Sequence, residues 1–113
     1  MSGESSSPPE YRLPFRRGWK VIELGGGEAP IIRPNVDSRW LPTVDLPGVD
    51  FNWPLPIPSA SWDGVFSKFV LEHLSWRKVK GFMGECHRIL KPGGIAVFVT
   101  ANLEAQMKAL LNK

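Results

Sequence analysis

The sequence predicts a single α/β domain built around a parallel β-sheet. Three observations support this fold class. "IAVFVT", residues 95–100, is rich in β-branched residues and apolar on both faces, as in a parallel strand that is covered on both sides. A helical pattern precedes it, and "VIELGGG", residues 21–27, opens the chain's first half with a strand and a glycine turn. Alternating strands and helices are typical of a layered α/β domain.

Composition limits the class of protein. The chain has 113 residues, of which 42% are hydrophobic, enough for one small domain with a core. Cys86 is the only cysteine, which excludes an internal disulfide and a zinc site built from several cysteines. The sequence has no apolar run of about 18 residues, and "MSGESSSPPE" lacks the pattern of a signal peptide. We therefore expect a cytoplasmic protein without a membrane partner.

Polar and basic residues dominate the start of the chain. Residues 1–15 are predicted to form a disordered polar and basic arm, and residues 16–113 the folded domain. The net charge is +3, and the basic residues gather in "YRLPFRRGWK" and "WRKVKG". A nucleic-acid surface is one interpretation. The modest charge and the absence of alternating aromatic residues favour the other, a solvated arm and the wet face of a helix.

Short strands are predicted in the first half. "WKVIEL", residues 19–24, predicts the first strand, and "PNVDS" contains a second that ends near Asp37. Prolines recur over residues 30–58, so no long helix can form there. "GVDF", residues 48–51, predicts a third strand, and "WDGVFS", residues 62–67, predicts a fourth.

A helix and a strong strand are predicted in the second half. Apolar residues recur at spacings of three and four after Ser75, the expected N-cap. "KPGG", residues 91–94, ends this helix, because proline cannot continue it and glycine can reverse the chain. "IAVFVT" is the fifth strand. A final amphipathic helix is predicted from Leu103, Met107, Leu110 and Leu111.

Acidic residues lie near the ends of the first three predicted strands. Glu23 precedes the glycines, Asp37 ends the second strand, and Asp50 lies beside Phe51 at the end of the third. A carboxylate can accept ribose hydroxyls or an exocyclic amine, and an aromatic ring can cover a purine. Pro30 stands where the dinucleotide fingerprint has its third glycine. The acids would repel a phosphate, so a positively charged nucleoside such as S-adenosylmethionine suits them better.

Three segments together resemble the class I S-adenosylmethionine-dependent methyltransferases of the type 11 kind. "VIELGGGEA" resembles their acid-x-Gly-x-Gly loop, "VDFNWPLPIPSASWDGVFSKFVLEHL" is similar to the stretch around their fourth strand, and "ECHRILKPGGIAVFV" resembles the signature before their fifth. The resemblance covers residues 19–100. It implies a Rossmann-like parallel sheet flanked by helices, with S-adenosyl-L-methionine as cofactor. Because the full fold has seven strands, it also implies a C-terminally truncated chain with an incomplete fold of about five strands.

The glycine loop and the second strand supply the first group of implied cofactor-binding residues. Glu23, Gly25 and Gly27 would hold the methionine part, and Gly26 would line the loop. Asp37 would hold the ribose. The spacing from the loop to Asp37 is short, so the first crossover helix must be reduced to a turn.

The second group follows the third and fourth predicted strands. Asp50 and Phe51 would flank the adenine, and Ser67 would lie under the sulfonium end. Asp45 competes with the other aspartates, any of which can instead be a turn residue. His73 is a candidate general base, although many such transferases need only proximity and orientation. No metal site is predicted.

The leading functional hypothesis is a methyltransferase with an unknown acceptor. The alternative is a truncated, non-catalytic methyltransferase-like module that acts through a partner. An RNA-modifying enzyme that uses the basic arm is a weaker third hypothesis. An apolar strand with an unpaired edge invites pairing, so self-association or a partner protein is expected through residues 95–111.

Overall fold

The computed structural model describes residues 13–99 and 107–113. This part forms one mixed sheet, one α-helix and a short 3-10 helix at Leu71–His73. The strands and the helix are β1 (Val21–Leu24), β2 (Asn35–Val36), β3 (Trp62–Lys68), α1 (Trp76–Ile89), β4 (Leu90–Val99) and β5 (Met107–Asn112). The strand order is β2-β1-β3-β4-β5. β1 to β4 are parallel, and β5 is antiparallel to β4.

The predicted α/β class is confirmed, and four predicted strands are present. β1 lies in the interior of the sheet between β2 and β3, where Ile22 pairs with Val65 and Leu24 with Val36. The connection from β1 to β2, residues 25–34, contains only turns and bends. The crossover helix is therefore reduced to a turn, as the spacing predicted.

The helix α1 begins where the sequence predicts. Ser75 is its N-cap, with extended backbone angles, although its side chain makes no capping hydrogen bond. The inner face buries Phe82, Cys86 and Ile89 against the sheet. Burial raises the pKa of the Cys86 thiol, so Cys86 packs as a small apolar residue.

The two faces of the sheet are covered differently. The α1 face carries the larger apolar cluster, which includes Val65, Ala96 and Phe98. On the opposite face Phe66, Val97 and Val99 pack against residues before and after β1, namely Leu13, Phe15, Ile31 and Ile32. Helices were expected on both faces. In the described ranges α1 covers one face, and irregular chain covers the other because the β1–β2 connection has no helix.

The predicted third strand, residues 48–51, does not form. Only an isolated bridge joins Leu46 to Val36, and the amide of Trp53 closes a turn by donating to Asp50 O at 3.1 Å. The left-handed backbone of Gly48, with a φ of +76°, turns the chain out of strand geometry. The pairing therefore stops after one bridge.

The predicted final helix is wrong for residues 107–112, which form β5. Ile95 pairs with Asn112 and Val99 with Met107 along the edge of β4. Leu103 lies outside the described residues, as do residues 1–12 of the predicted arm. The unpaired backbone groups of an edge strand favour a partner strand, and β5 supplies it from the same chain. The open edge that predicted self-association through residues 95–111 is therefore filled.

No helix within the described ranges is both long and apolar enough to cross a membrane.

Candidate functional site

A pocket of about 560 Å³ opens at the carboxyl ends of β1, β2 and β3. It is lined by residues 25–26, 37–39, 50–52, 68–70 and 73–74. Open parallel sheets bind ligands at this edge, where loops from adjacent strands converge. The position of the pocket therefore makes it the candidate ligand site.

The pocket brings together most of the residues predicted from the sequence. Those that line it are Gly25, Gly26, Asp37, Asp50, Phe51 and His73. The predicted residues Glu23, Gly27 and Ser67 do not line it. They lie directly beside residues that do, and all three are buried.

The glycine loop lies in close contact with side chains from other parts of the chain. Gly25 has a φ of +82°, and a Cβ there would overlap the Val70 side chain. A Cβ on Gly26 would lie 2.5 Å from Asn35 Oδ1 and 2.8 Å from Glu23 Oε2. Side chains are therefore excluded at both positions, and the bare backbone forms this wall of the pocket.

Asn35, which sequence reasoning missed, fixes the shape of this loop. Its fully buried side chain accepts a hydrogen bond from the Gly26 amide at 2.8 Å. Its amide nitrogen donates to Gly27 O at 3.1 Å and to Thr43 O at 2.9 Å. The available signal was a polar side chain inside a very short strand, in "PNVDS".

Asp37 lies at the pocket with both carboxylate oxygens engaged. Oδ2 accepts from the Gly27 amide at 2.9 Å, and Oδ1 from the Arg39 amide at 3.0 Å. The Arg39 guanidinium lies 3.3 and 3.4 Å from the two oxygens. Burial raises the pKa of Asp37, but the hydrogen bonds from Arg39 and Gly27 outweigh it and hold the pKa below its ordinary value.

Glu23 lies behind the loop. Its Oε1 accepts from the amides of Ile31 and Ile32 at 2.7 and 2.8 Å. Its Oε2 lies 3.2 Å from the ammonium of Lys68, a second residue that sequence reasoning missed. Glu23 thus supports the β1–β2 connection, and a direct contact with the methionine part of a ligand stays a prediction.

Asp50 and Phe51 form the wall on the side of α1. The Asp50 Oδ1 accepts from the backbone and side chain of Asn52 at 2.9 and 3.0 Å. The Phe51 ring meets Phe82 edge to face, with centroids 5.5 Å apart. Phe51 is therefore held in place by the core while it lines the pocket.

The remaining candidates differ in their surroundings. Ser67 is buried, and its hydroxyl has no hydrogen-bond partner among the described residues. His73 ends the 3-10 helix and is exposed at the pocket. Asp45, the alternative acid, holds the guanidinium of Arg33 and the amide of Asn35 instead. Asp37, not Asp45, therefore reaches the pocket.

Residues 34–98 match the sequence model of a protein family described as a methyltransferase domain. The chain belongs to this family. This methyltransferase domain is 46% identical over 83 residues to a probable S-adenosylmethionine-dependent methyltransferase of Mycolicibacterium smegmatis. The match covers 74% of this chain and 30% of the relative. The chain thus spans less than a third of that relative's length. The family predicted from the sequence is confirmed.

Solved methyltransferases share the fold of this domain. An S-adenosylmethionine-dependent methyltransferase of Thermotoga maritima superposes with a TM-score of 0.63 at 20% identity, over 77% of this chain and 45% of its own. A methyltransferase in complex with the Trm112 methyltransferase activator of Haloferax volcanii superposes with a TM-score of 0.57 at 19% identity. This match covers 86% of this chain and 57% of that methyltransferase. An S-adenosylmethionine-dependent methyltransferase of Mesorhizobium loti superposes with a TM-score of 0.58 at 19% identity, over 84% of this chain and 50% of its own. The Rossmann-like, partial methyltransferase fold is therefore confirmed.

Proposed function

We propose that this domain binds S-adenosylmethionine in the pocket at the carboxyl ends of β1–β3 and serves methyl transfer to an acceptor not yet identified. The observation that carries the proposal is the convergence of bare glycine backbone, Asp37, Asp50 and the Phe51 ring on one pocket. Its volume of about 560 Å³ lies within the range of about 300–1,000 Å³ for small-molecule sites.

The chemistry of the pocket residues fits this cofactor. Asp37 offers carboxylate oxygens to the ribose hydroxyls. Asp50 offers an acceptor to the adenine amine, while Phe51 covers the ring. When bound, S-adenosylmethionine supplies a methyl group activated by its sulfonium. Asp37 and Asp50 disfavour a phosphate group beside the ribose and the adenine, whereas Arg39 and Lys68 supply the positive charge of the lining.

Ribose binding requires a rearrangement at Asp37. Both carboxylate oxygens already contact the Arg39 guanidinium. The Arg39 side chain is 59% exposed, so it can turn towards solvent with little loss of packing. The amide of Gly27 keeps its hydrogen bond to Oδ2 and holds the carboxylate in place while the hydroxyls replace the guanidinium.

Transfer of the methyl group demands orientation above all, because the displacement is in line. His73 is exposed where it lines the pocket, and we propose it as the base for an acceptor that must lose a proton. Its role therefore depends on the acceptor, whereas cofactor binding does not.

Calorimetric titration with S-adenosylhomocysteine tests the proposal. Wild-type protein should bind, and Asp37→Asn should weaken binding by about 1–3 kcal/mol, the range for hydrogen bonds to a charged group. Asp45→Asn is the matched control, because Asp45 is an acid in the same region that does not line the pocket. The affinity of this variant for S-adenosylhomocysteine should stay within about twofold of the wild-type affinity, which corresponds to roughly 0.4 kcal/mol. No binding by the wild type, or an equal loss in both variants, would refute the assignment.

The alternative is a non-catalytic member that works through a partner protein. The methyltransferase of the Haloferax volcanii complex occurs with an activator, which supports the partner in this second proposal but not the loss of catalysis. Three exposed tryptophans, Trp40, Trp53 and Trp76, offer apolar surface for such contacts. Sedimentation velocity at several concentrations, combined with a methyl-transfer assay, separates the hypotheses. A monomer at every concentration with measurable turnover would contradict the alternative.

A further inference from the structure

We infer that Lys68 binds the carboxylate of the cofactor's methionine part, an inference that rests on the proposed function. Lys68 is the last residue of β3 and lines the pocket beside the glycine loop. Its side chain is 13% exposed. An ammonium group at the boundary between core and pocket is therefore available to one anionic group of a ligand.

The glycine loop has its amides committed elsewhere. The Gly25 amide donates to Val36 O at 2.6 Å, the Gly26 amide to Asn35 Oδ1 at 2.8 Å, and the Gly27 amide to Asp37 Oδ2 at 2.9 Å. An anion that approaches this wall therefore finds the three glycine amides engaged. Its partner has to be a side chain.

Lys68 is held in position by two contacts. Its ammonium donates to Ala29 O at 2.7 Å and to Glu23 Oε2 at 3.2 Å. An ammonium has three protons, so these two contacts leave one for a ligand. Glu23 also accepts two backbone amides through its other oxygen. The ion pair with Glu23 offsets much of the charge of Lys68, so the third N–H contributes mainly a directional hydrogen bond to a ligand carboxylate.

The charges around the pocket specify which end of the cofactor Lys68 would meet. Asp37 and Asp50 lie on the side of β2 and of the loop that follows it, and both repel a carboxylate. Of the described residues that line the pocket, Lys68 and Arg39 carry permanent positive charge, and each lies in an ion pair. Arg39 lies against Asp37 beyond β2, whereas Lys68 lies at the end of β3, on the other side of β1. The ribose and adenine would therefore lie towards the acids, and the amino-acid carboxylate towards Lys68.

Two ligands that differ at this end provide the test. S-adenosylhomocysteine carries the amino-acid group, and 5′-methylthioadenosine has the same adenosine and sulfur without it. Lys68→Met should lower the affinity for S-adenosylhomocysteine at least tenfold and leave that for 5′-methylthioadenosine within twofold. Lys68→Arg, which keeps the charge, should retain most of the preference for S-adenosylhomocysteine.

A second pair of variants guards against misfolding. Removing the ammonium leaves the buried Glu23 carboxylate without its cation, so the double variant Glu23→Gln/Lys68→Met is compared with Glu23→Gln alone. The same selective loss is expected in this neutral background. Equal losses for both ligands, or no loss for either, would overturn the inference while the proposed function stands. Failure of the wild type to bind either ligand would overturn the proposed function itself.

Discussion

Asn35→Ala gives the sharpest test of how the pocket wall is built. The substitution removes three hydrogen bonds, from Gly26 N and to Gly27 O and Thr43 O. At about 1 kcal/mol each the three bonds account for about 3 kcal/mol, and the buried Gly26 amide that is left unsatisfied adds to this loss. That is a large part of the roughly 5–15 kcal/mol that stabilises a domain. The corresponding fall in melting temperature is roughly 10–20 °C.

Urea unfolding followed by circular dichroism measures this loss. The slope of the unfolding free energy against urea concentration should be the same for the variant and the wild type, which shows that both expose the same surface on unfolding. Thr43→Val is the matched control. It removes the single bond from Thr43 Oγ1 to Gly27 O, at 2.6 Å, and should cost about 1 kcal/mol. If Asn35→Ala loses no more stability than Thr43→Val, the loop does not depend on Asn35 and this reasoning is wrong.

Three further predictions concern other contacts. Gly25→Ala should destabilise the domain, because Gly25 has a φ of +82° and a Cβ there would overlap Val70. Gly84→Ala places its Cβ in open space on α1 and should stabilise the domain by up to about 1 kcal/mol. Thermal melting compares the two variants. Glu85→Ala should cost about 1–3 kcal/mol, since this carboxylate binds the Leu55 amide and the Arg88 guanidinium. Urea unfolding measures this loss, with Glu28→Ala at an exposed position of the β1–β2 connection as the comparison. The pKa of Asp37 is lowered in the folded state, so the ionised carboxylate stabilises the domain above its unfolded pKa of about 4. This stabilisation is lost as the pH falls through the folded-state pKa. The difference in unfolding free energy between wild type and Asp37→Asn should therefore shrink on acidification from about pH 6, and a difference that grows would contradict this.

The parts of the fold with strong local patterns could be predicted from the sequence. β3 and α1 follow from an apolar run and from helical spacing, and both lie within a residue of the predicted bounds. β2 was predicted as a very short strand within "PNVDS", and it has two residues. These signals are local or belong to the family, and neither requires knowledge of long-range packing.

The errors arose where pairing over long distances decides the structure. Residues 107–112 have helical spacing in part, yet they form β5 because the backbone of β4 offers an edge to pair with. Residues 48–51 have strand-like side chains, but the left-handed backbone of Gly48 interrupts the ladder. In each case the local preference is weak and a backbone constraint elsewhere overrides it.

The candidate site shows the same division. The acids and glycines could be named from motifs, because their spacing is conspicuous in the sequence. Asn35 and Lys68 could not, since their contacts join residues 9 and 45 positions apart. The sequence also predicted Glu23 without showing that Ile31, Ile32 and Lys68 would surround its carboxylate.

The absence of a helix between β1 and β2 explains why this pocket relies on side chains for charge. A helix that begins after the glycine turn presents unpaired amides and a partial positive charge to an anion. Residues 25–34 form only turns and bends, and the glycine amides bind Val36, Asn35 and Asp37 instead. We therefore expect recognition of a negative group to come from a cation such as Lys68. The same shortening brings Ile31 and Ile32 onto the second face of the sheet. One local change in the connection therefore alters both the packing of the core and the electrostatics of the pocket.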